Sequence, residues 1–304
     1  MIVYRELSSL ERDLGISAKT LYAVSNNISK HYHRAKLPKK CGGHRNLSVP
    51  DEILKAIQRQ ISEVLLIHMP VSRYAKSYRF GSSTQRNAKH HVGKQVVLKL
   101  DILHFFDSIR YSGVKDRVFP EEIYAEPLRI LLTMLCYHKD ALPQGASSSP
   151  AITNIILYEF DEQIGQWCRE RGIAYTRYCD DMTFSGDFEP AEVIRIVRLE
   201  LKKLGFLLNE QKTRIQHPGQ QQTVTGIVVN EKMSIPADYR RKLRQELYYC
   251  RKYGIQEHLQ KTGLGIPEET FRMQLLGKVN YVLQVHPDDR DMLEARKWLQ
   301  QSTK

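Results

Sequence analysis

Cysteine is scarce in this sequence, and its spacing argues against two classes of protein. The chain has five cysteines, at positions 41, 136, 168, 179 and 250. Their number is odd, the spacings are wide and no CxxC pair occurs, so we expect neither a disulfide-stabilised secreted domain nor a zinc site. Free thiols are typical of a reducing compartment, and we therefore expect a cytoplasmic protein.

Long apolar runs are also lacking. The longest purely apolar stretches, such as VLLI at positions 64–67, are far shorter than the roughly 18 residues that a membrane-spanning helix needs. The N-terminal stretch MIVYRELSSLERDLG does not have the layout of a signal peptide. No membrane partner is therefore expected.

Acidic residues are outnumbered by basic ones. The chain has 46 Lys and Arg against 34 Asp and Glu, which gives a net charge of +12. Such a surplus favours a polyanionic partner, although many basic proteins bind no nucleic acid. With 304 residues, 41% of them apolar, the chain can bury a sizeable core in one large domain or in two or three smaller ones.

Two acidic residues nevertheless stand side by side in YCDDMTFSG, where Asp180 and Asp181 interrupt a run that otherwise predicts a half-buried strand. Carboxylates about 4 Å apart repel by about 4 kcal/mol at an effective dielectric near 20. A hairpin turn explains the position, because Asp favours turns, but not the charge. A divalent cation shared with a third carboxylate explains both. Asp101, at the end of the β-rich run 95–100, could be that carboxylate.

Helical and turn patterns occupy the rest of the chain. Two short helices around Gly15 are predicted in SSLERDLGISAKTLYAVSNN, with Ser17 as the N-terminal cap of the second helix. The same pattern also fits a DNA-binding helix-turn-helix. A hairpin is predicted around Gly42 and Gly43. The next helix is expected to be capped by Asp51 and to have an apolar face of Ile53, Ile57, Ile61, Val64 and Leu65.

The second half of the chain contains further helices and two short strands. Helices are predicted over 127–137, over 149–171 with Ser149 as the cap, and over 190–204. Two short strands are predicted within 222–235, and the chain is predicted to be wholly helical and basic beyond Pro236. This mixed α/β region followed by a helical one indicates at least two subdomains.

Four segments in a fixed order resemble the conserved motifs of a known family. KLDILHFF (99–106), LPQGASSSPAITN (142–154), YCDD (178–181) and LGFLLNEQKTRI (204–215) are similar to motifs A to D of reverse transcriptases. NAKHH (87–91) and VTG (224–226) resemble two signatures of the bacterial retron branch. Cys179 departs from the pattern, since alanine is commoner at this position.

The resemblance implies an α+β right-hand polymerase fold with fingers, a palm of antiparallel sheet plus helices, and a helical thumb. The implied divisions are N-terminal helices and fingers over 1–94, a palm with part of the fingers over 95–235, and an RNA-binding thumb over 236–304. The implied activity is that of an RNA-directed DNA polymerase that uses two Mg²⁺ ions and deoxynucleoside triphosphates. Its template would be a cognate structured noncoding RNA, copied into cDNA from an internal guanosine 2′-hydroxyl to give a branched RNA–DNA hybrid.

The resemblance also implies partners and catalytic residues. An effector protein, a role in defence against phage, and removal of template by a host ribonuclease H are expected. The implied metal ligands are Asp101, Asp180, Asp181 and the carbonyl of Ile102. Lys212 is the implied general acid, with a solvated surface lysine as the alternative.

Contacts with nucleotide and RNA are implied in the same way. Triphosphate, base and sugar would be contacted by Lys39, Lys40, Arg45, Phe106, Gln144 and Gly145, with Phe106 as the steric gate against ribonucleotides. The basic and aromatic residues implied to bind RNA are Arg240, Arg241, Lys242, Arg244, Tyr248, Arg251 and Lys252, although such a run is also typical of a solvated helix face. The retron-specific residues are Asn87, Ala88, His91, Val224, Thr225 and Gly226.

Two other interpretations remain. One is a group II intron-like or other prokaryotic reverse transcriptase, although only about 70 residues follow the predicted palm, too few for both a maturase region and an endonuclease domain. The other is a catalytically idle RNA-binding protein on the same scaffold. The presence of all three aspartates argues against the second, because a binding module has no need of them.

Overall fold

The computed structural model describes residues 3–38 and 42–301 and divides the chain into two compact units. The first unit comprises the residues up to Ser82, Leu98–Phe184 and Phe188–Ile215. The second comprises Ser83–Val97, Ser185–Asp187 and the residues from Gln216 onward. The division into fingers, palm and thumb stays a prediction.

Helices and antiparallel strands alternate in the described residues, as expected for an α+β protein. The helices are α1 (Leu7–Leu14), α2 (Ala18–Asn26), α3 (Glu52–Gln60), α4 (Thr84–Lys89), α5 (Phe105–Ser108), α6 (Tyr111–Val118), α7 (Glu126–Cys136), α8 (Ser149–Ile156), α9 (Tyr158–Glu170), α10 (Pro190–Lys203), α11 (Ala237–Tyr253), α12 (Ile255–Thr262), α13 (Glu268–Val285) and α14 (Arg290–Gln301). The strands are β1 (Tyr32–Pro38), β2 (His44–Pro50), β3 (Val96–Asp101), β4 (Ala174–Tyr178), β5 (Asp181–Gly186), β6 (Arg214–Gln216), β7 (Thr223–Val224) and β8 (Ile227–Val228).

A four-stranded sheet in the order β4-β5-β3-β6 forms the platform of the predicted site. Leu98 and Leu100 of β3 and Met182 and Phe184 of β5 are buried in the core of the first unit. Side chains alternate along a strand, so a shift of β3 against β5 by one residue would move these apolar side chains out of the core. The strand ends are therefore left to carry polar residues. Asp101 is the last residue of β3 and Asp181 the first of β5.

The predicted helix pair and hairpin in the N-terminal segment are confirmed. Gly15 ends α1 with a φ of 65°, and the Ser17 side chain accepts a hydrogen bond from the Thr20 amide. Leu10 and Leu21 are fully buried, so both helices have a packing role in the first unit. Strands β1 and β2 pair antiparallel from Tyr32↔Pro50 to Pro38↔His44.

The predicted apolar face of the third helix needs one correction. Asp51 caps α3 by accepting from the Leu54 amide, as expected. Ile53, however, is 54% exposed, whereas Leu54 is fully buried. Leu54, Ile57 and Ile61 recur at helical spacing and form the buried face of the helix. Ile53 lies outside that face and is therefore exposed. The α-helix also ends at Gln60, where a π-helical turn begins.

The helix predicted over 149–171 is two helices. α8 ends at Ile156 and α9 begins at Tyr158, because Leu157 leaves the helical conformation at φ −91° and ψ 7°. Ser149 is the first residue of α8 and does not cap it; its hydroxyl donates to the carbonyl of Pro143 at 2.8 Å. The helices over 126–136 and 190–203 agree with prediction to within one residue at each end.

The second unit is built mainly from α11 to α14, in agreement with the predicted helical region beyond Pro236. The two predicted short strands, β7 and β8, pair antiparallel. Val224 and Ile227 of these strands share a buried core with Leu275 and Val279 of α13. No helix in the described part of the chain is long and apolar enough to cross a membrane.

Candidate active site

Asp101 is held at the end of β3 by residues that follow α10. Its backbone carbonyl accepts from the Asn209 amide at 2.8 Å, and Asn209 Nδ2 donates to Asp101 Oδ1 at 2.9 Å. Lys212 Nζ donates to Asp101 Oδ2 at 2.8 Å. The carboxylate is almost fully buried, so these contacts fix its orientation.

Asp180 and Asp181 lie at the tip of the hairpin formed by β4 and β5. Cys179 and Asp180 connect the two strands, and Cys179 has a φ of 61°. The Ile102 amide donates to the Asp180 carbonyl at 3.2 Å, so the turn lies against the end of β3. The structure therefore brings Asp101, Asp180 and Asp181 together, although they are separated by about eighty residues of sequence.

The charges at the site influence one another. Partial removal from water, followed by the charges of Asp180 and Asp101, raises the pKa of Asp181 to about 6, and Lys99 and Lys212 oppose the rise. Partial desolvation lowers the pKa of Lys212, but its hydrogen bond to Asp101 and the surrounding carboxylates outweigh this, so that its pKa is raised overall. Carboxylates that repel one another and hold a cationic side chain form a cation-attracting site.

The oxygens of these carboxylates suit a hard divalent cation in their chemistry. Within residues 3–38 and 42–301, however, no three Asp, Glu, His or Cys side chains converge closely enough to form a ready-made metal centre. The ammonium of Lys212 forms an ion pair with one oxygen of Asp101 and acts as its counter-ion. The donor atoms therefore fit a divalent metal ion, and its binding to Oδ2 of Asp101 would displace Lys212 from that oxygen.

Four of the residues predicted to contact nucleotide, Arg45, Phe106, Gln144 and Gly145, lie in the first unit. Phe106 is half-buried and makes an edge contact with Phe105, which is 3% exposed and belongs to the core. The Leu142 amide donates to the Phe106 carbonyl at 3.1 Å, which joins the LPQG loop to α5. Arg45 is exposed on β2. Lys39 and Lys40 lie outside the described residues.

Gln144 and Gly145 contact the β1–β2 hairpin. The Ser48 amide donates to the Gln144 carbonyl at 2.9 Å. Gly145 has a φ of 116°, and a Cβ placed there would lie 2.9 Å from the Ser48 carbonyl oxygen. Glycine at 145 therefore permits a close approach between two protein segments, whatever its role toward nucleotide.

The six predicted retron-specific residues lie together in the second unit. Asn87 and Ala88 are buried on α4, and Thr225 donates its hydroxyl to the Thr84 carbonyl at the start of that helix. Gly226 has a φ of 85° and its carbonyl accepts from the Tyr281 hydroxyl. Val224 belongs to the core.

His91 is fully buried and its Nδ1 lies 2.7 Å from the hydroxyl of Ser185. This agrees with a structural role for His91. It does not suggest a metal ligand.

The predicted RNA-binding residues of α11 differ in how much they are engaged within the protein. Arg240 pairs with Asp289 at 2.6 Å and Arg244 with Asp291 at 3.2 Å, which joins α11 to α14. The remaining five residues are exposed: Arg241, Lys242, Tyr248, Arg251 and Lys252. Arg251 contacts the ring of Trp298, and Lys252 contacts the ring of Tyr248.

Two residues of the site were missed at the level of sequence. Asn209, three residues before Lys212, orients Asp101. Arg177, directly before YCDD, is fully buried in β4 and donates to the Cys179 carbonyl. A signal for Arg177 was present, because a charged residue in a strand that otherwise reads as half-buried needs a buried partner.

The chain is similar to known proteins over most of its length. Residues 37–229 match the family model described as reverse transcriptase (RNA-dependent DNA polymerase). The chain is 31% identical to the retron Mx65 reverse transcriptase of Myxococcus xanthus, over 97% of this chain and 72% of that protein. It is 30% identical to the retron Ec83 enzyme of Escherichia coli, over 72% of this chain and 75% of that one.

A third similarity, to the retron Ec86 reverse transcriptase of Escherichia coli, is 29% identity over 84% of this chain and 82% of that protein. The family brings with it the right-hand polymerase fold, dependence on a divalent metal ion and an RNA template. The match covers the strand end, hairpin and loops that hold the three aspartates. This chain thus belongs to the reverse transcriptases and, within them, to the RNA-directed DNA polymerases of bacterial retrons.

Proposed function

We propose that Asp101, Asp180, Asp181 and the carbonyl of Ile102 bind two Mg²⁺ ions during DNA synthesis. The observation that supports this most directly is the proximity of three carboxylates at the end of β3 and the β4–β5 turn. Desolvation first, and then the charges of Asp180 and Asp101, raise the pKa of Asp181, and Asp101 holds the ammonium of Lys212. The chemistry expected of the two ions when bound is activation of the attacking hydroxyl and neutralisation of the departing pyrophosphate.

The other residues of the site bind the nucleotide, select its sugar and donate a proton. Lys212, kept protonated by its acidic neighbours, is within reach of the site and donates a proton to pyrophosphate. Phe106 excludes the 2′-hydroxyl of a ribonucleotide, since its ring is half-buried and backed by Phe105. The triphosphate and base are contacted by Lys39, Lys40, Arg45, Gln144 and Gly145.

The template in this proposal is a cognate structured noncoding RNA that is gripped by α11. Synthesis starts from the 2′-hydroxyl of an internal guanosine and gives a branched RNA–DNA hybrid. A host ribonuclease H removes copied template, an effector protein associates with the product, and the whole acts in antiphage defence in the cytoplasm. The similarity to retron reverse transcriptases supports these steps, and the exposed basic side chains of α11 support the RNA contact.

Reconstitution tests the proposal. The purified chain, the noncoding RNA encoded beside it, deoxynucleotides and Mg²⁺ are expected to yield a branched cDNA that is resistant to separation by denaturation. The double variant Asp180→Asn, Asp181→Asn is expected to yield none, while Asp187→Asn, an exposed aspartate beyond the hairpin, retains wild-type yield. Product from the double variant would overturn the metal assignment.

The form of the product separates the alternatives. A linear cDNA started from a 3′-hydroxyl would favour a group II intron-like or other prokaryotic enzyme. RNA binding with no nucleotide incorporation under any divalent metal would favour an idle RNA-binding protein. Branched product from this RNA is expected of a retron enzyme.

A further inference from the structure

The peptide groups on both sides of Cys179 are held by buried side chains in the first unit. The Cys179 amide donates to the Ser77 hydroxyl at 2.7 Å, and the Cys179 carbonyl accepts from Arg177 Nη1 at 2.8 Å. Asn154 of α8 connects the two, since its Nδ2 donates to the Ser77 carbonyl at 3.0 Å and its Oδ1 accepts from Arg177 Nη2 at 3.2 Å. Ser77, Asn154, Arg177 and Cys179 thus form a closed set of hydrogen bonds, here named the Cys179 ring.

The charge of Arg177 is balanced from a different helix. Asp161 of α9 accepts from Arg177 Nε at 2.9 Å and from Nη2 at 2.6 Å, and also from the Tyr175 hydroxyl at 2.7 Å. Both members of this ion pair are fully buried. A buried ion pair is poor evidence of stabilisation, because apolar residues of similar size often serve as well. Here the ion pair fixes the orientation of the Arg177 guanidinium, whose Nε, Nη1 and Nη2 atoms all donate hydrogen bonds.

The backbone at the centre of the ring is in a conformation that needs such support. Cys179 has a φ of 61°, which residues with a side chain adopt rarely. Residues in this region persist where their surroundings impose the conformation, and they are concentrated at functional sites. The next residue along the chain is Asp180, so the geometry of Cys179 sets the direction in which Asp180 and Asp181 leave the turn.

We propose that Ser77, Asn154 and Arg177 are positioning residues for DNA synthesis, which aim the carboxylates of Asp180 and Asp181 by fixing both peptide groups of Cys179. The inference rests on the proposed role of these aspartates as metal ligands. It connects three separate parts of the first unit, the segment before Tyr78, α8 of the LPQG segment and the YCDD turn, through bonds to one residue. None of the three residues touches the reacting atoms in this proposal.

Removal of one hydroxyl gives the first test. Ser77→Ala deletes the acceptor for the Cys179 amide, and Arg177→Lys keeps the charge opposite Asp161 while it loses the planar fork that reaches Cys179 and Asn154 together. The matched control is Thr133→Val, which removes a single buried hydroxyl bonded at 2.7 Å to the Arg129 carbonyl, in α7. All four proteins, wild type included, are compared by thermal unfolding, by Mn²⁺ binding in electron paramagnetic resonance titration, and by steady-state deoxynucleotide incorporation.

Outer-shell contacts of metal ligands typically contribute 10-fold to 100-fold to affinity or activity, so Ser77→Ala and Arg177→Lys are each expected to weaken Mn²⁺ binding and to lower kcat by about 10-fold. The KM for deoxynucleotide stays near that of the wild type, because the nucleotide contacts are untouched. Thr133→Val is expected to change neither Mn²⁺ affinity nor kcat.

Variants that unfold at lower temperature but keep wild-type Mn²⁺ affinity and kcat would overturn the inference, since the ring would then be merely structural. Wild-type protein that binds no Mn²⁺ would overturn the proposed metal site together with the inference. Wild-type binding that Ser77→Ala and Arg177→Lys leave unchanged would overturn the inference alone. A loss of Mn²⁺ affinity at unaltered thermal stability would support it most strongly.

Discussion

The ammonium nitrogen of Lys212 lies 2.8 Å from Oδ2 of Asp101, so that the proposed proton donor is ion-paired with a proposed metal ligand. The two side chains differ in exposure, at 59% for Lys212 and 5% for Asp101. The carboxylate is therefore fixed and the lysine is able to move. A cation that binds Oδ2 of Asp101 would displace the ammonium from that oxygen.

Replacement of this lysine tests its role as general acid. Lys212→Met is expected to lower kcat by about 100-fold, at the lower end of the range for general acid–base catalysis, with little change in KM. Lys115→Met is the control, since it removes a similar lysine–carboxylate pair in α6, where Lys115 contacts Glu126 at 2.7 Å. Single-turnover incorporation measures the effect. An unchanged rate would assign Lys212 to the solvated surface.

The steric gate is tested by a pair of adjacent phenylalanines. Phe106→Ala is expected to raise incorporation of ribonucleotides relative to deoxynucleotides, because the half-buried ring would no longer exclude a 2′-hydroxyl. Phe105→Ala removes a core side chain that also packs on Phe206, and is expected to destabilise the fold by about 3 to 5 kcal/mol. Competition between the two nucleotide types and chemical denaturation measure these effects. Unaltered sugar preference in Phe106→Ala would remove the gate assignment.

The exposed basic residues of α11 and those paired within the protein predict different defects. Arg241→Gln with Lys242→Gln removes two exposed charges and is expected to reduce the slope of log affinity for RNA against log salt by about 0.7 to 0.9 per charge. Arg240→Gln instead leaves Asp289 without its 2.6 Å partner, and should lower the free energy of unfolding by about 1 to 3 kcal/mol. A salt dependence that the double variant leaves unchanged would contradict the assignment of this helix face to RNA.

Gly145 is expected to be intolerant of alanine for a reason within the protein. Gly145→Ala would place Cβ 2.9 Å from the Ser48 carbonyl oxygen at a φ of 116°, and should destabilise the loop by about 1 to 3 kcal/mol. Gly113→Ala, within α6 and with nothing within 4 Å of the added Cβ, is the control and should be neutral or stabilising. Thermal unfolding and KM for deoxynucleotide separate a loss of stability from a loss of nucleotide contact.

Local sequence signals predicted those elements whose determinants lie within a few residues. The Ser17 and Asp51 caps, the glycine at the end of α1 and the hairpin of β1 and β2 are all of this kind. The interruption at Leu157 and the exposure of Ile53 were not predicted. Both depend on which neighbouring element each helix packs against, and periodicity within one segment does not contain that information.

Asp101, Asp180 and Asp181 were predicted to share a cation from residue type and local context, because carboxylates in apolar strand patterns are unfavourable without one; their role as metal ligands stays a prediction. Tertiary structure decided the rest: that Lys212 and Asn209 hold Asp101, that Arg240 joins two helices, and that Ser77, Asn154 and Arg177 enclose Cys179. These contacts join residues that are remote in sequence, and their partners are chosen by packing of whole elements. The sequence therefore determines which chemical groups the site contains, whereas the fold determines how those groups are oriented.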